Sequence, residues 1–429
     1  MVWAFWQGYL KVQIKRISMA ISRQNIHERI HLVASLCIAL FLPVARLVPI
    51  FIIILLLNWI IEGDFRKKWY RLKQNNFALL FISFYLIHLI GLTYTTNLES
   101  GWFDVQVKLS LMFFPLILAT RPFQVSDKQK IFRAFIIGCS ASLAIMLSHA
   151  SYIYFTTGQN DFFYESFSSF LIHPSYISMY LNLAVAWLIL NLQRIKFSDK
   201  PLSFILNLFL ILFFSVSIFL LSSKLGIVTL VLIFIGFIVV SIITKRKYLI
   251  GFSALAVIVL SVFIVMKFVP EISGRINRAI DALTDTNVNE AEVESSAVRL
   301  LVWSASNELV ADNLLTGVGT GDAKDELMKV YLDRGMTGAY KHELNAHNEY
   351  YQVFISLGII GFILLLSNLY FPLVASFRNG NIIYLLFLCI IILNFLTESM
   401  FETQAGVMFY AFFNALLCFN SSKESGSAN

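Results

Sequence analysis

The residues best suited to chemistry lie late in the chain. Arg299 interrupts an otherwise apolar helical stretch, and His347-Asn348-Glu349-Tyr350-Tyr351-Gln352 opens a long apolar run where polar side chains would project into a cavity. A guanidinium fork suits bidentate binding of phosphate oxygens. An imidazole of near-neutral pKa can take a proton from an attacking hydroxyl. Together they could serve a reaction in which a sugar hydroxyl displaces a diphosphate. Plainer roles compete: Arg299 could snorkel or pair with Glu294 or Glu308, and His347 could cap a helix or anchor at a membrane interface.

Other motifs fail on spacing. In Gly317-Val318-Gly319-Thr320-Gly321 the glycines are wrongly spaced for a dinucleotide fingerprint and follow no strand, so the segment reads as a turn. His342 and His347 are five residues apart rather than four, off one helical face, and no metal site is expected. No Walker A sequence, Gly-x-Ser-x-Gly elbow or ATP-binding cassette signature occurs, so no nucleotide-driven step is expected, and no cofactor is assigned. Cys37, Cys139, Cys389 and Cys418 all fall in apolar runs without Cys-x-x-Cys spacing and read as small core residues.

The elements that must position Arg299 and His347 are membrane helices. Hydrophobic residues make up 58% of the 429 and charged residues only 14%, which excludes disorder and a disulfide scaffold. The apolar residues come in runs long enough to cross a hydrocarbon core of roughly 30 Å. Twelve spans are expected, at 30–45, 47–62, 77–94, 106–120, 131–156, 173–193, 202–222, 225–243, 249–268, 350–376, 381–397 and 404–420. With the N-terminus inside, one set of short loops and ends holds 22 Lys or Arg and the opposite set holds only Arg46, Lys108 and Lys224. That asymmetry predicts both termini in the cytoplasm and assigns the net charge of +7 to membrane topology, not to nucleic acid. Residues 1–29 show no cleavable signal peptide; Val2 to Leu10 could be an interfacial anchor, and initiation at Met19 is an alternative to Met1.

The expected organisation is all-α: a cytoplasmic segment 1–29, a bundle 30–268, a large periplasmic loop 269–349, a second bundle part 350–420 and a tail 421–429. The loop holds 14 acidic and 7 basic residues, too long and too polar for an ordinary connection. Asp281 to Ser296 reads as a solvated linker, and helices are expected from Ala297 to Ala311 and from Asp322 to about Leu332, lying across the outer mouth of the bundle.

The order Arg299-Leu300-Leu301-Val302-Trp303, Asp312 to Gly321, Ala346 to Gln352 and Leu357-Gly358-Ile359-Ile360-Gly361 resembles the signature region of the O-antigen ligase and polymerase superfamily. The resemblance implies a GT-C-type membrane glycosyltransferase of the bacterial inner membrane. It would use a polyprenyl-diphosphate-linked glycan as donor and lipid A-core or another glycan as acceptor at the periplasmic face, with membrane lipids around it. It also implies that His347 activates the acceptor hydroxyl and that Arg299 holds the diphosphate. The family's Ser-Arg-Gly pattern appears as Ser223-Lys224-Leu225-Gly226, a point charge where a fork is common, so Lys224 is expected to bind phosphate without bidentate geometry. The usual proline before the glycine turn is replaced by Leu314.

Weaker candidates complete the set. Lys108 could join Lys224 and Arg299 in a cationic ring, or simply snorkel. His173 and Tyr176 begin a span on the outer side, where Pro174 is also ordinary capping. Asn348 supports the histidine, and Glu398 and Glu402 could orient a basic residue or a sugar hydroxyl, or pair between helices. His88 and His149 are assigned to packing. Ligase, polymerase and transfer of glycan to protein remain open from these residues, with the single large outer loop leaning toward a ligase. A lipid-linked glycan transporter and a noncatalytic envelope scaffold are the rivals from other classes.

Overall fold

The computed structural model describes residues 23–195, 197–245, 274 and 296–419. The expected span 249–268, most of the linker 281–296, and the segments 1–22 and 420–429 lie outside the described residues. Among those described, every regular element is a helix. In order they are α1 (23–41), a 3-10 turn Leu42–Leu47, α2 (Val48–Glu62), α3 (Phe65–Lys73), α4 (Asn76–Gly91), α5 (Leu98–Val107) and α6 (Ser110–Thr120). There follow α7 (Val125–Thr157), α8 (Tyr164–Ser168), α9 (Pro174–Leu192), α10 (Pro201–Leu220) and α11 (Lys224–Lys245). The chain ends with α12 (Ser296–Asp312), α13 (Ala323–Asp333), α14 (Thr337–Lys341), α15 (Glu349–Arg378), α16 (Ile382–Phe395), a 3-10 turn Met400–Glu402 and α17 (Gln404–Cys418).

An apolar run in lipid must satisfy its own backbone groups, so it folds as a helix. The boundaries follow from side chains that compete for those groups. Asn75, Asn97, Asn348, Asn381 and Thr403 accept N–H bonds at helix starts, and Pro174 and Pro201 occupy first positions where no N–H is needed. At Pro43 the first apolar stretch breaks: Val44 leaves helical geometry, and the chain turns back on itself. Arg23 Nη2 donates to Ile61 O at 2.9 Å and His27 Nδ1 lies 2.8 Å from Asn58 Oδ1, so α1 and α2 form an antiparallel pair even though they run on through a 3-10 turn. Expected spans 30–45 and 47–62 are these two arms.

Six apolar helices are long enough to cross a membrane when 23–62 is taken as one, and seven if the bent pair α3 and α4 counts as a span. Lys224–Val239, α16 and α17 are shorter apolar helices. The protein is therefore a multi-pass helical membrane protein, while the number twelve goes beyond what the described residues establish. At the centre stands α17, where every residue from Ala405 to Leu417 is buried, a helix apolar nearly all round. Tyr180 stacks on Phe409 at 4.4 Å and Phe135 meets Phe413 edge-on at 4.8 Å, locking α7 and α9 onto it.

The two ends of the bundle differ in charge. Arg71 donates to Thr120 O and Lys128 to Phe419 O, which gathers α3 and the basic start of α7 at one end with the C-termini of α6 and α17. The opposite end carries the carboxylates of Asp104, Glu398 and Glu402 and a separate small core. In that core Val302, Ala305 and Leu309 of α12 pack with Leu327 and Tyr331 of α13, with Ala346, and with Ile355 of α15. The expected helices of the outer loop are thus present, shifted by one residue at most at each end.

Candidate active site

The glycine turn has a structural purpose that spacing alone did not reveal. Within α15, Gly358 leaves helical geometry with φ +62°, which strips the adjoining backbone groups of their helical partners. Residues of the turn replace those partners. Val318 N–H donates to Ile355 O at 2.8 Å, Gly319 N–H to Ser356 O at 3.0 Å, and Ile359 N–H donates to Leu314 O at 2.9 Å. Irregular backbone inside a membrane helix survives only when protein satisfies it in this way. Gly317 at φ +68° is required, since a Cβ there would sit 2.5 Å from the Ile355 carbonyl oxygen. Leu314, where a proline is usual, contributes its carbonyl, which a proline would also supply.

The same turn fixes the cap to the top of α4. Asp322 accepts the N–H groups of Thr96 and Asn97, each at 2.7 Å, Thr320 Oγ1 donates to His88 O at 2.8 Å, and Tyr94 Oη donates to Thr316 O at 2.7 Å. Residues far apart in sequence are thereby held in one rigid collar. Within it α12 places Arg299 over the bundle, and α15 places His347 just before its first turn.

Arg299 and Glu398 meet. Arg299 Nη2 lies 3.4 Å from Glu398 Oε1, and the same carboxylate oxygen accepts Ser175 Oγ at 2.9 Å. Of the partners considered from sequence, Glu308 instead binds Arg334, and Glu294 lies outside the described residues. Arg299 keeps about a third of its side chain exposed, so the fork is braced on one side and open on the other. His173 caps α9, its Nδ1 accepting Ser175 N–H at 3.4 Å, and its Nε2 lies 3.4 Å from Glu165. Tyr176 is buried one turn on.

His347 joins this group through its field. Burial pulls its imidazole below its ordinary value, the nearby Arg299 guanidinium lowers it further, and Glu398 opposes them. The ring is therefore neutral near pH 7 and able to accept a proton. Its backbone is unusual too, with φ +45°, a conformation rare for a side-chain-bearing residue and braced here by Asn345 accepting its N–H at 3.0 Å. Asn348 is a scaffold. Its side chain caps α15 by accepting from Tyr350 and Tyr351 and donates to Leu396 O at 3.1 Å, stapling the histidine segment to the one that carries Glu398.

Lys224 begins α11, half-buried, beside α9. Gly226 in its first turn packs so closely on Ser178 that a Cβ would lie 2.7 Å from that side chain, and Asn182 donates to Gly226 O at 3.0 Å. Ser178 is three positions from Ser175 on α9, so the first turn of α11 packs on α9 one helical turn along from the residue that holds Glu398.

Lys108 does not complete a ring of available cations. Lys108 is buried, its ammonium paired with Asp104 and, at 3.1 Å, with Glu402, so its charge is already matched inside the protein. Glu349 is buried beside this group, with Oε2 accepting Phe401 N–H at 2.8 Å, and His88 Nδ1 lies 3.9 Å from Asp104. Glu398 and Glu402 are thus split between two clusters, because the chain leaves α16 before Glu398 and re-forms a 3-10 turn at Glu402. Asp104 and Ser175 were not singled out from sequence, and Glu349 stood there only as one of the polar residues that open α15. Asp104 stands four residues before Lys108 in a helical run, a spacing that signals an ion pair.

Among the described residues no group of three or more His, Cys, Asp or Glu side chains is arranged to hold a metal. Residues 208–366 match the family model described as O-antigen ligase, a stretch that includes Lys224, Arg299, the glycine turn and His347. No curated protein matches the chain. Over residues 208–366 the chain is thus similar to the O-antigen ligase family.

Proposed function

We propose that the protein is an O-antigen ligase-like glycosyltransferase of the bacterial inner membrane, with both termini cytoplasmic and the outer loop periplasmic. It moves a polyprenyl-diphosphate-linked glycan to a hydroxyl of lipid A-core. The observation that carries this reading is the convergence of Arg299, Glu398 and a neutral His347 at one end of the bundle, within or beside the family segment. Arg299 and Lys224 hold the donor diphosphate. His347 accepts the proton of the acceptor hydroxyl as its oxygen attacks the anomeric carbon, the bond to the diphosphate oxygen breaks, and the electron pair leaves with the diphosphate. A single displacement of this kind inverts the anomeric centre. Glu398, held by Ser175, fixes the approach of the Arg299 fork, and His173 and Tyr176 line the acceptor side. Lys108 anchors Glu402 and does not touch the donor.

The same chemistry serves a polymerase, whose acceptor is another lipid-linked repeat, and a protein O-oligosaccharyltransferase. A strain deleted for the gene and complemented at matched membrane abundance with wild type or His347→Ala separates them. The ligase reading predicts that the deletion and the variant lose glycan on lipid A-core while long lipid-linked chains accumulate. Collapse of the ladder to single repeats would move the assignment to a polymerase, and an unchanged ladder in both strains would remove it.

A further inference from the structure

We infer that α3 and the cavity beneath it bind anionic phospholipids at the basic end of the bundle, the cations of α3 taking the headgroup and the cavity the acyl chain. This inference is independent of the transfer reaction, because α3 lies at the end of the bundle opposite Arg299 and His347.

The geometry begins with direction. Helix α3 is bent by 93° from α4, so it runs across the end of the bundle while α4 runs along it. A nine-residue helix in that position lies along a membrane surface. Its sequence, Phe-Arg-Lys-Lys-Trp-Tyr-Arg-Leu-Lys, divides by face: Phe65, Lys68, Trp69 and Leu72 share one side, and Arg66, Lys67, Tyr70, Arg71 and Lys73 occupy the rest. Leu72 and Lys68 are buried, whereas Phe65 is 53% and Trp69 58% exposed, so the protein itself leaves much of the aromatic surface uncovered.

Beneath this face opens a cavity of about 400 Å³ bounded by Trp59, Lys68, Trp69, Leu72 and Leu116. Its walls are mostly apolar: the Thr120 hydroxyl is taken by Trp59 Nε1 at 2.8 Å, and Lys68 Nζ lies 4.6 Å from the centre of the Trp59 ring and 2.9 Å from Glu62. That is a slot for an acyl chain and glycerol with cations at its rim. From Glu62 to Lys73 the chain has five basic residues against Glu62 and Asp64. Lys68 pairs with Glu62 and Lys67 with Asp64, which leaves an excess of positive charge on a helix already lying flat. A zwitterionic lipid would satisfy the aromatic face alone, whereas an anionic headgroup satisfies both faces.

The test uses the purified full-length chain in detergent, given phosphatidylglycerol or phosphatidylcholine, with retained lipid counted by native mass spectrometry. The wild type is expected to retain phosphatidylglycerol at least about tenfold more than phosphatidylcholine, and added salt should shrink that preference. Arg66→Gln, Lys67→Gln and Lys73→Gln combined should abolish the preference and leave folding intact, since all three side chains are exposed. Brominated phosphatidylglycerol should quench tryptophan emission in wild type more than in Trp69→Phe. An equal preference in wild type and the triple variant, or quenching unaltered by Trp69→Phe, would overturn the assignment.

Discussion

At the residue scale the account turns on Arg299 and His347. Stabilising charge on the departing diphosphate is the larger electrostatic task, so Arg299→Ala should lower turnover at least as much as His347→Ala, with each loss on the order of a hundredfold or more. Wild-type turnover in Arg299→Ala membranes would remove the arginine from the mechanism. The pH profile carries a second prediction. A base works only when neutral, so activity should fall as pH drops through the His347 pKa, and burial together with Arg299 sets that limb below the ordinary histidine value. Glu398 opposes the shift, so Glu398→Gln should move the limb to still lower pH, whereas losing the Arg299 charge should move it up. An acid limb that stays in place in both variants would mean that another group titrates. These two residues were legible in the sequence because polar types at the edge of apolar runs are conspicuous. Their partner Glu398 was legible only as a candidate, since its contact with Arg299 joins positions 99 residues apart.

At the element scale, the broken α15 and the glycine turn form one device. A Cβ at Gly358 would fall 2.4 Å from Leu315 O, at a backbone conformation that side chains rarely adopt. Gly358→Ala and Gly317→Ala should each destabilise the purified protein by roughly 2–4 kcal/mol. Gly236, with nothing within 4 Å of a Cβ, provides the control and should tolerate alanine. Equal melting temperatures for all three variants would show that the turn does not brace the helix. Lys108 makes a parallel case. Lys108→Met would leave Asp104 and Glu402 facing each other without their cation, at a cost of about 3–5 kcal/mol, and the added change Asp104→Asn should restore part of the loss. Helix positions in the bundle and the outer loop were readable from apolar periodicity and caps. The break at Gly358 was not, because a glycine in an apolar helix gives no sign of whether it bends until its partner turn is known. The neutralisation of Lys108 was likewise hidden, since Glu402 approaches it from 294 residues away.

For the whole molecule, basic side chains gather at one end and the collar of Arg299, Glu398 and His347 at the other, with the aromatic core around α17 between them. A cysteine introduced at Lys67 should be shielded from a membrane-impermeant reagent added outside spheroplasts, whereas one at Lys324 should react; the reverse pattern would invert the proposed topology. The charge asymmetry that predicts this orientation was plain in the sequence, while the number of crossings was not, because a break such as that at Pro43 divides an apolar run in a way that hydropathy smooths over. The most direct test of the central claim uses purified protein in liposomes with a polyprenyl-diphosphate-linked glycan and lipid A-core. The account predicts a larger lipid A-core product and release of polyprenyl diphosphate with wild type, and neither with Arg299→Ala. Passage of the lipid-linked glycan across the bilayer with no change in the size of either lipid would contradict it.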